Sequence, residues 1–147
     1  MEDKRQLEII LMVGLPRSGK TTWAKQHSKE NKSYIIVSPD TIRIALHGQR
    51  FNVGCEDVVW ATHYLMVKTL LLEGYDVIVD ATNTTKERRD PYYRKFKNYS
   101  VYEKFIGTSK EVCIERATAE KDDLIIPIIE KMSAQMDYII GVKNVRS

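Results

Sequence analysis

Cysteine is nearly absent from this chain: two of 147 residues, Cys55 and Cys113, stand far apart. So low a count excludes a disulfide framework, and the spacing excludes a thiolate metal cluster, which leaves a reduced, cytoplasmic setting as the expectation. Long apolar runs are missing as well. No stretch approaches the roughly 20 residues of a membrane span or has the layout of a signal peptide, so no membrane partner is expected. Repeats, low-complexity tracts and linker-like segments are lacking, and residues 1–147 read as a single domain. Neither sign of charge dominates: Lys and Arg number 23 against 20 Asp and Glu, a formal net charge of +3. That balance tolerates an anionic substrate but excludes a protein that coats nucleic acid by charge alone. What is present is an apolar fraction of 43%, enough for one core.

Apolar runs and helical patterns alternate along the chain. Leu7 to Val13 is a short apolar run ending at a glycine, the pattern of a buried strand. A helix is expected over Lys20 to Glu30, and Tyr34 to Val37 is a second strand. Ser38 can cap a helix with Pro39 at its first position, where no amide donor is needed. A long helix is expected from Glu56 to Glu73, with Val59, Trp60, His63 and Val67 or Leu70 on its inner face and Gly74 beyond its end. Asp76 to Asp80 is a third strand, Thr84-Thr85-Lys86-Glu87 reads as a capping box, and Val101 to Ile106 is a fourth strand. Helices follow over Ser109 to Glu120 and Ile128 to Asp137, and the tail suggests one more strand. This order predicts an α/β fold: a mostly parallel sheet of four or five strands, helices on both faces, and the ligand site at the carboxyl ends of the strands.

Gly14-Leu15-Pro16-Arg17-Ser18-Gly19-Lys20-Thr21 matches the Walker A pattern, between a strand and a helix as that pattern requires. Its glycines allow the backbone amides to turn inward around phosphates, and the helix that follows adds unpaired donors and a partly positive end. Gly14 to Thr22 are therefore the expected binding residues for a nucleoside triphosphate, taken as ATP. Lys20 would reach the β- and γ-phosphates, and Thr21 would place its hydroxyl on Mg²⁺. Asp80, at the end of the third strand, is the expected carboxylate on the metal side, with Asn83 beside it.

Asp40 and Arg43 are three residues apart, so one helical face carries both near the strand-two end. A carboxylate there can take the proton of an attacking hydroxyl while a guanidinium holds an anionic substrate. The same spacing also fits a dipole-favoured Asp paired with a surface Arg, and spacing alone leaves both readings open. Residues 86–97 hold six basic and two acidic side chains, a surplus of 6 − 2 = +4, interleaved with Tyr92, Tyr93 and Phe96. That run fits a nucleic-acid surface, and equally a solvated helix face with its aromatics in the core. Arg116 lies in a charge-rich segment, about 108–126, that could form a lid over the triphosphate. His27, His47 and His63 suggest no catalytic array, and both cysteines read as buried small hydrophobes.

Together these motifs resemble the kinase domain of phage polynucleotide 5′-hydroxyl kinase and its P-loop relatives, from Ile9 to about Tyr138. Gly14 to Ala24 is similar to that family's phosphate loop, Asp40-Thr41-Ile42-Arg43 to its acceptor-site Asp-x-x-Arg, and Asp80-Ala81-Thr82-Asn83 with Glu87-Arg88-Arg89 to its third-strand stretch. The resemblance implies a three-layer P-loop kinase fold and Asp40 as general base toward a 5′-hydroxyl of RNA or DNA. It implies Arg43 on the neighbouring phosphate, Asp80 and Asn83 at the site, and Arg116 as the lid arginine. Glu120 stands where the family has a second lid arginine, and the length of the chain implies the kinase half alone, without a 3′-phosphatase. Zeta toxins share the loop and the Asp but phosphorylate a nucleotide sugar. A small-molecule kinase and a non-catalytic ATP- or RNA-binding module are thus the alternative readings.

Overall fold

The computed structural model describes residues 6–50 and 53–142. In chain order the elements are β1 (Glu8–Val13), α1 (Lys20–Glu30), β2 (Tyr34–Val37), α2 (Pro39–His47), α3 (Glu56–Leu72), β3 (Asp76–Val79), α4 (Lys86–Lys95), β4 (Ser100–Phe105), α5 (Lys110–Ala119) and α6 (Ile126–Val142). Short 3-10 turns precede α3 and α6. All pairings within the sheet are parallel and the strand order is β2-β3-β1-β4. The sheet has four strands, and the tail expected as a fifth is instead helical as far as Val142, with residues 143–147 outside the described residues.

β1 lies at the centre, its Ile9, Ile10 and Leu11 facing Val77, Ile78 and Val79 of β3. A strand with neighbours on both sides and helices on both faces has no wet side, which is why its sequence runs apolar without alternation. Ile9 and Leu11 join Val77, Val79, Val59, Val67, Tyr92 and Phe96 in a core beneath α3 and α4. On the opposite face Ile10, Met12 and Ile78 pack against Ala24 of α1. A third cluster gathers Val13, Leu15, Cys113, Ala117 and Ile129, so α5 and α6 close over the carboxyl end of β1. From β1 the chain leaves toward β2 and later returns past β1 to β4. The switch in direction therefore falls between β1 and β3, where an open α/β sheet forms its crevice.

Local chemistry fixes the helix ends. Ser38 Oγ accepts from the Thr41 amide at 3.4 Å, Pro39 opens α2, and Gly48 closes it at φ 75°. The expected capping box is not formed: Thr85, not Thr84, caps α4 by accepting from the Arg88 amide, and Arg88 stands where the box needs Glu or Gln. Thr84 is buried, its hydroxyl donating to Gln135 Oε1 at 3.2 Å. A packing contact has claimed the residue that the motif offered as cap.

Within α3 the buried face is Val59, His63, Val67 and Leu71, while Trp60 stays half-buried. His63 pairs with the Tyr92 hydroxyl at 2.7 Å, and burial pushes its pKa down to about 4. Cys113 is fully buried, as expected of a small hydrophobe, whereas Cys55 is only partly covered.

Candidate active site

The loop from Gly14 to Gly19 joins the end of β1 to α1, and its shape comes from two backbone constraints. Arg17 and Gly19 both have positive φ, 69° and 105°. A side chain on Gly14 would stand 3.0 Å from the Ile106 carbonyl and 2.9 Å from Ser18 Oγ, so only glycine passes there. The Gly14 amide donates to the Thr82 carbonyl at 3.1 Å, which ties the loop to the segment beyond β3. Lys20 is buried and curls back to donate to the Leu15 carbonyl at 2.6 Å. Burial pushes its pKa down to about 8, against the opposing charges of Asp80 and, more weakly, Asp40. The ammonium thus sits desolvated at the mouth of the loop, within electrostatic reach of both carboxylates.

Thr21, at the second position of α1, donates its hydroxyl to Asp80 Oδ2 at 2.7 Å. Two hard oxygen donors side by side, next to the phosphate loop, suit Mg²⁺, which keeps several waters and takes few protein ligands. No group of three or more acidic, His or Cys side chains that could hold a metal ion is found among the described residues. Asn83 has φ 47° and is buried, its Nδ2 donating to the Met12 carbonyl at 2.8 Å. Arg89 braces it from below: Nη1 donates to the Asn83 carbonyl at 2.9 Å, while Nε lies 3.4 Å from Glu103, both side chains being buried. The basic run is mostly a solvated helix face: Lys86, Arg88, Arg94, Lys95 and Lys97 are exposed, and Arg89 is the buried basic side chain among them. Arg89, Tyr92 and Phe96 are in the interior, Lys86 pairs with Asp90, and Arg88 is the basic side chain of that run that lines the cleft.

Asp40 falls on the second residue of α2 and is exposed. Arg43 donates to Asp40 Oδ1 at 2.6 Å and to both oxygens of Glu56, from Nε at 2.8 Å and from Nη2 at 2.7 Å. These bonds hold the Glu56 carboxyl below its usual range. Asp40 is the carboxylate neighbour of Arg43 on its own helix, and the fold supplies a second, Glu56, from the first turn of α3. Trp60, one turn further along α3, lies beneath two guanidinium groups, Arg88 at 4.3 Å and Arg43 at 5.9 Å from the ring centre.

Arg116 is exposed near the end of α5 and donates to the Arg17 carbonyl at 2.9 Å. Arg17 itself, expected to serve the nucleotide, bonds Asp122 at 2.8 Å and also Glu120. Arg50 reaches the same Asp122 at 3.1 Å. Glu120 is thus accounted for: it anchors the phosphate loop's own arginine. These bonds raise the Arg17 pKa and depress that of Asp122.

A single cleft of about 1010 Å³ joins these parts. Pro16, Arg17, Gly19, Lys20, Thr21, Thr22, Asp40, Arg43, Asp80, Asn83 and Arg116 all line it, whereas Gly14, Leu15 and Ser18 are buried behind it. Arg88, from the Glu87-Arg88-Arg89 stretch, belongs to the same neighbourhood, as do Glu56, Trp60, Arg50 and Asp122, which carry no motif. Glu56 could have been found from its place at the start of a helix. Arg50 and Asp122 meet across 72 residues and leave no local signal.

A parallel sheet flanked by helices, with a phosphate loop at its switch point, defines a P-loop fold of the kinase type. The chain belongs to the AAA domain family AAA_33, whose model matches residues 9–127. A chain in the structure of the Pnkp1/Rnl/Hen1 RNA repair complex is 20% identical, with a TM-score of 0.87 over 98% of this chain and 48% of that one. A structure from the PezAT toxin-antitoxin system of Streptococcus pneumoniae is 22% identical, with a TM-score of 0.67 over 85% of this chain and 56% of that one. Human heterogeneous nuclear ribonucleoprotein U-like protein 2 is 51% identical over 39 residues, 25% of this chain and 5% of that protein. The chain therefore spans about half of the repair-complex chain and a small part of the ribonucleoprotein. None of the described helices is long and apolar enough to cross a membrane.

Proposed function

We propose that the protein is an ATP-dependent 5′-hydroxyl kinase of polynucleotides, with Mg²⁺ as cofactor. The observation that carries this reading is the shared cleft of Lys20 and Asp40. The carboxylate lines the same space as the phosphate loop, and its charge is felt at the Lys20 ammonium. Likeness in fold to a chain of an RNA repair complex supports a nucleic-acid acceptor.

In this mechanism the amides of residues 14–19 and the start of α1 hold the triphosphate, and Lys20 leaves the Leu15 carbonyl for the β- and γ-phosphates. Thr21 and Asp80 would hold Mg²⁺, which when bound would neutralise charge on the phosphate oxygens. Asp40 accepts the proton of the 5′-hydroxyl as its oxygen bonds to the γ-phosphorus and the bond to the β–γ bridging oxygen breaks, releasing ADP. Arg43 fixes the Asp40 carboxylate, and Arg116 flanks the transferring group from the lid side. Arg17 reaches the nucleotide only by exchanging its carboxylate partners for phosphate.

The test is incubation with γ-labelled ATP, Mg²⁺ and matched 5′-hydroxyl RNA and DNA oligomers, with a nucleotide sugar as control. Label on the oligomers but not on the sugar is the expected result. Label on the sugar alone makes the protein a small-molecule kinase, and tight ATP binding with no transfer to either makes it a binding module.

A further inference from the structure

The two faces of the sheet are not covered alike. α3 and α4 close one face, whereas on the other α1 packs against Ile10, Met12 and Ile78. β4 is an edge strand, paired with β1 alone among the described residues. Beside α1, over Ile10, lies a second pocket of about 260 Å³. Its walls are Trp23 and His27 of α1, Tyr34 of β2, Glu8 of β1, and Tyr102 and Lys104 of β4. No residue lines both this pocket and the cleft. Glu8 and Ile10 precede Gly14 by six and four residues. At about 3.3 Å per residue the pocket lies roughly 13–20 Å from the phosphate loop.

Trp23, His27, Tyr34 and Tyr102 are all half-buried, so each ring keeps surface toward solvent. Trp23 and His27 stack with centres 4.7 Å apart, and Tyr34 meets His27 edge-on at 4.6 Å. Such rings favour a flat π surface or a cation. Lys104 decides between the two: its Nζ already stands 5.3 Å from the Trp23 ring centre, and one ammonium repels another. Two polar features ask for a ligand with a hydrogen-bonding edge. Glu8 accepts from the Tyr34 hydroxyl through Oε1, which leaves Oε2 to accept from an N–H group. His27 Nε2 is buried without a hydrogen-bond partner, capacity that a protein wall rarely leaves unspent. The volume falls below the roughly 300–1,000 Å³ of pockets that enclose a whole drug-sized molecule, so one ring system fits and its substituents stay outside. A neutral, flat heterocycle with an N–H edge and an anionic substituent beside Lys104 is a nucleobase with its phosphate.

We propose that this pocket on the α1 face binds one unpaired nucleobase, carried by a free nucleotide or by a single strand. The base lies on the rings with its N–H edge toward Glu8, and Lys104 leaves the Trp23 face for the phosphate, exchanging a cation–π contact for a charge-assisted one. The site stands apart from the phosphate loop and does not depend on the kinase reading. A strand seated here is held at a second point, away from its reacting end.

The test uses the pocket's own indole. Trp60→Phe leaves Trp23 as the one tryptophan of the chain, and its emission is followed while the common nucleoside monophosphates and a single-stranded oligomer of about eight nucleotides are added at several salt concentrations. Saturable quenching is expected. Adding Tyr102→Leu should weaken it about tenfold through lost stacking, and adding Lys104→Met should reduce the salt slope by about one. Circular dichroism checks that each variant is folded. Quenching by the oligomer alone assigns the site to a strand, quenching by monophosphates alone to a free nucleotide, and either upholds the pocket whether or not label is transferred from ATP. Emission that stays level up to about 10 mM monophosphate and about 1 mM oligomer overturns the proposal. Quenching that both Tyr102→Leu and Lys104→Met leave at full strength and salt slope overturns it as well, because the ligand then sits elsewhere.

Discussion

Raising the pH from 7 to 9 is expected to weaken ATP binding about tenfold through Lys20. Burial lowers the pKa of this ammonium to about 8 in the nucleotide-free protein. Phosphates beside it favour the charged form, so its pKa rises on binding, and the complex takes up a proton wherever the free protein has lost one. The apparent dissociation constant then scales as 1 + 10^(pH − 8), a factor of about 1.1 at pH 7 and about 11 at pH 9, or roughly 1.4 kcal/mol. Titration calorimetry with ATP and Mg²⁺ in two buffers of different ionisation enthalpy reads both quantities. Proton uptake should climb from about 0.1 per site at pH 7 to about 0.9 at pH 9. In Lys20→Arg the group stays charged throughout and the pH step should vanish. Without ligand the sign is opposite. The unfolded chain holds the Lys20 proton up to about pH 10.5, so this group makes the folded state more stable as pH rises from 8 toward that value. A dissociation constant that stays level from pH 7 to 9.5, with no proton uptake, refutes the reasoning.

Three further outcomes are expected. Asp40→Asn should lower turnover by about 10² to 10⁴ while calorimetry finds ATP affinity nearly unchanged, because the carboxylate acts on the acceptor proton; undiminished turnover would remove it as the base. His63 is buried neutral with its pKa lowered to about 4, so the stability it permits is full above about 6.5 and falls as pH drops from 6.5 toward 4. Urea midpoints should show that loss, on the order of 3 kcal/mol at pH 4, and His63→Leu should flatten it. Glu103→Gln strands the buried Arg89 guanidinium and should cost about 3–5 kcal/mol in chemical denaturation, with ATP affinity reduced because Arg89 supports the Asn83 corner.

What the sequence made legible was whatever is encoded by neighbours. Gly14 to Thr21, the Ser38-Pro39 start of α2 and the apolar runs of β1 and β3 are all contiguous signals, and each lies where it was expected. The α4 cap slipped by one residue because a distant partner, Gln135, engages Thr84. The tail is ambiguous in sequence because it holds a short apolar stretch, which periodicity alone does not assign to strand or helix, and it is helical as far as Val142. Pairings across the chain were invisible: Arg43 with Glu56 spans 13 residues, Arg17 with Asp122 spans 105. Those pairings decide which arginines face the cleft with charge to spare, so the Asp-x-x-Arg spacing placed both residues without revealing how Arg43 is occupied.

The tether between Arg17 and the end of α5 makes the phosphate loop and the C-terminal half of the chain answer to each other. Should an arriving triphosphate draw the Arg17 guanidinium away, Glu120 would lose its Arg17 partner while Asp122 kept Arg50, and two anions near one cation push apart. Filling the nucleotide site would then loosen the segment that follows α5, and by thermodynamic reciprocity anything that stiffens that segment would weaken nucleotide affinity by the same factor.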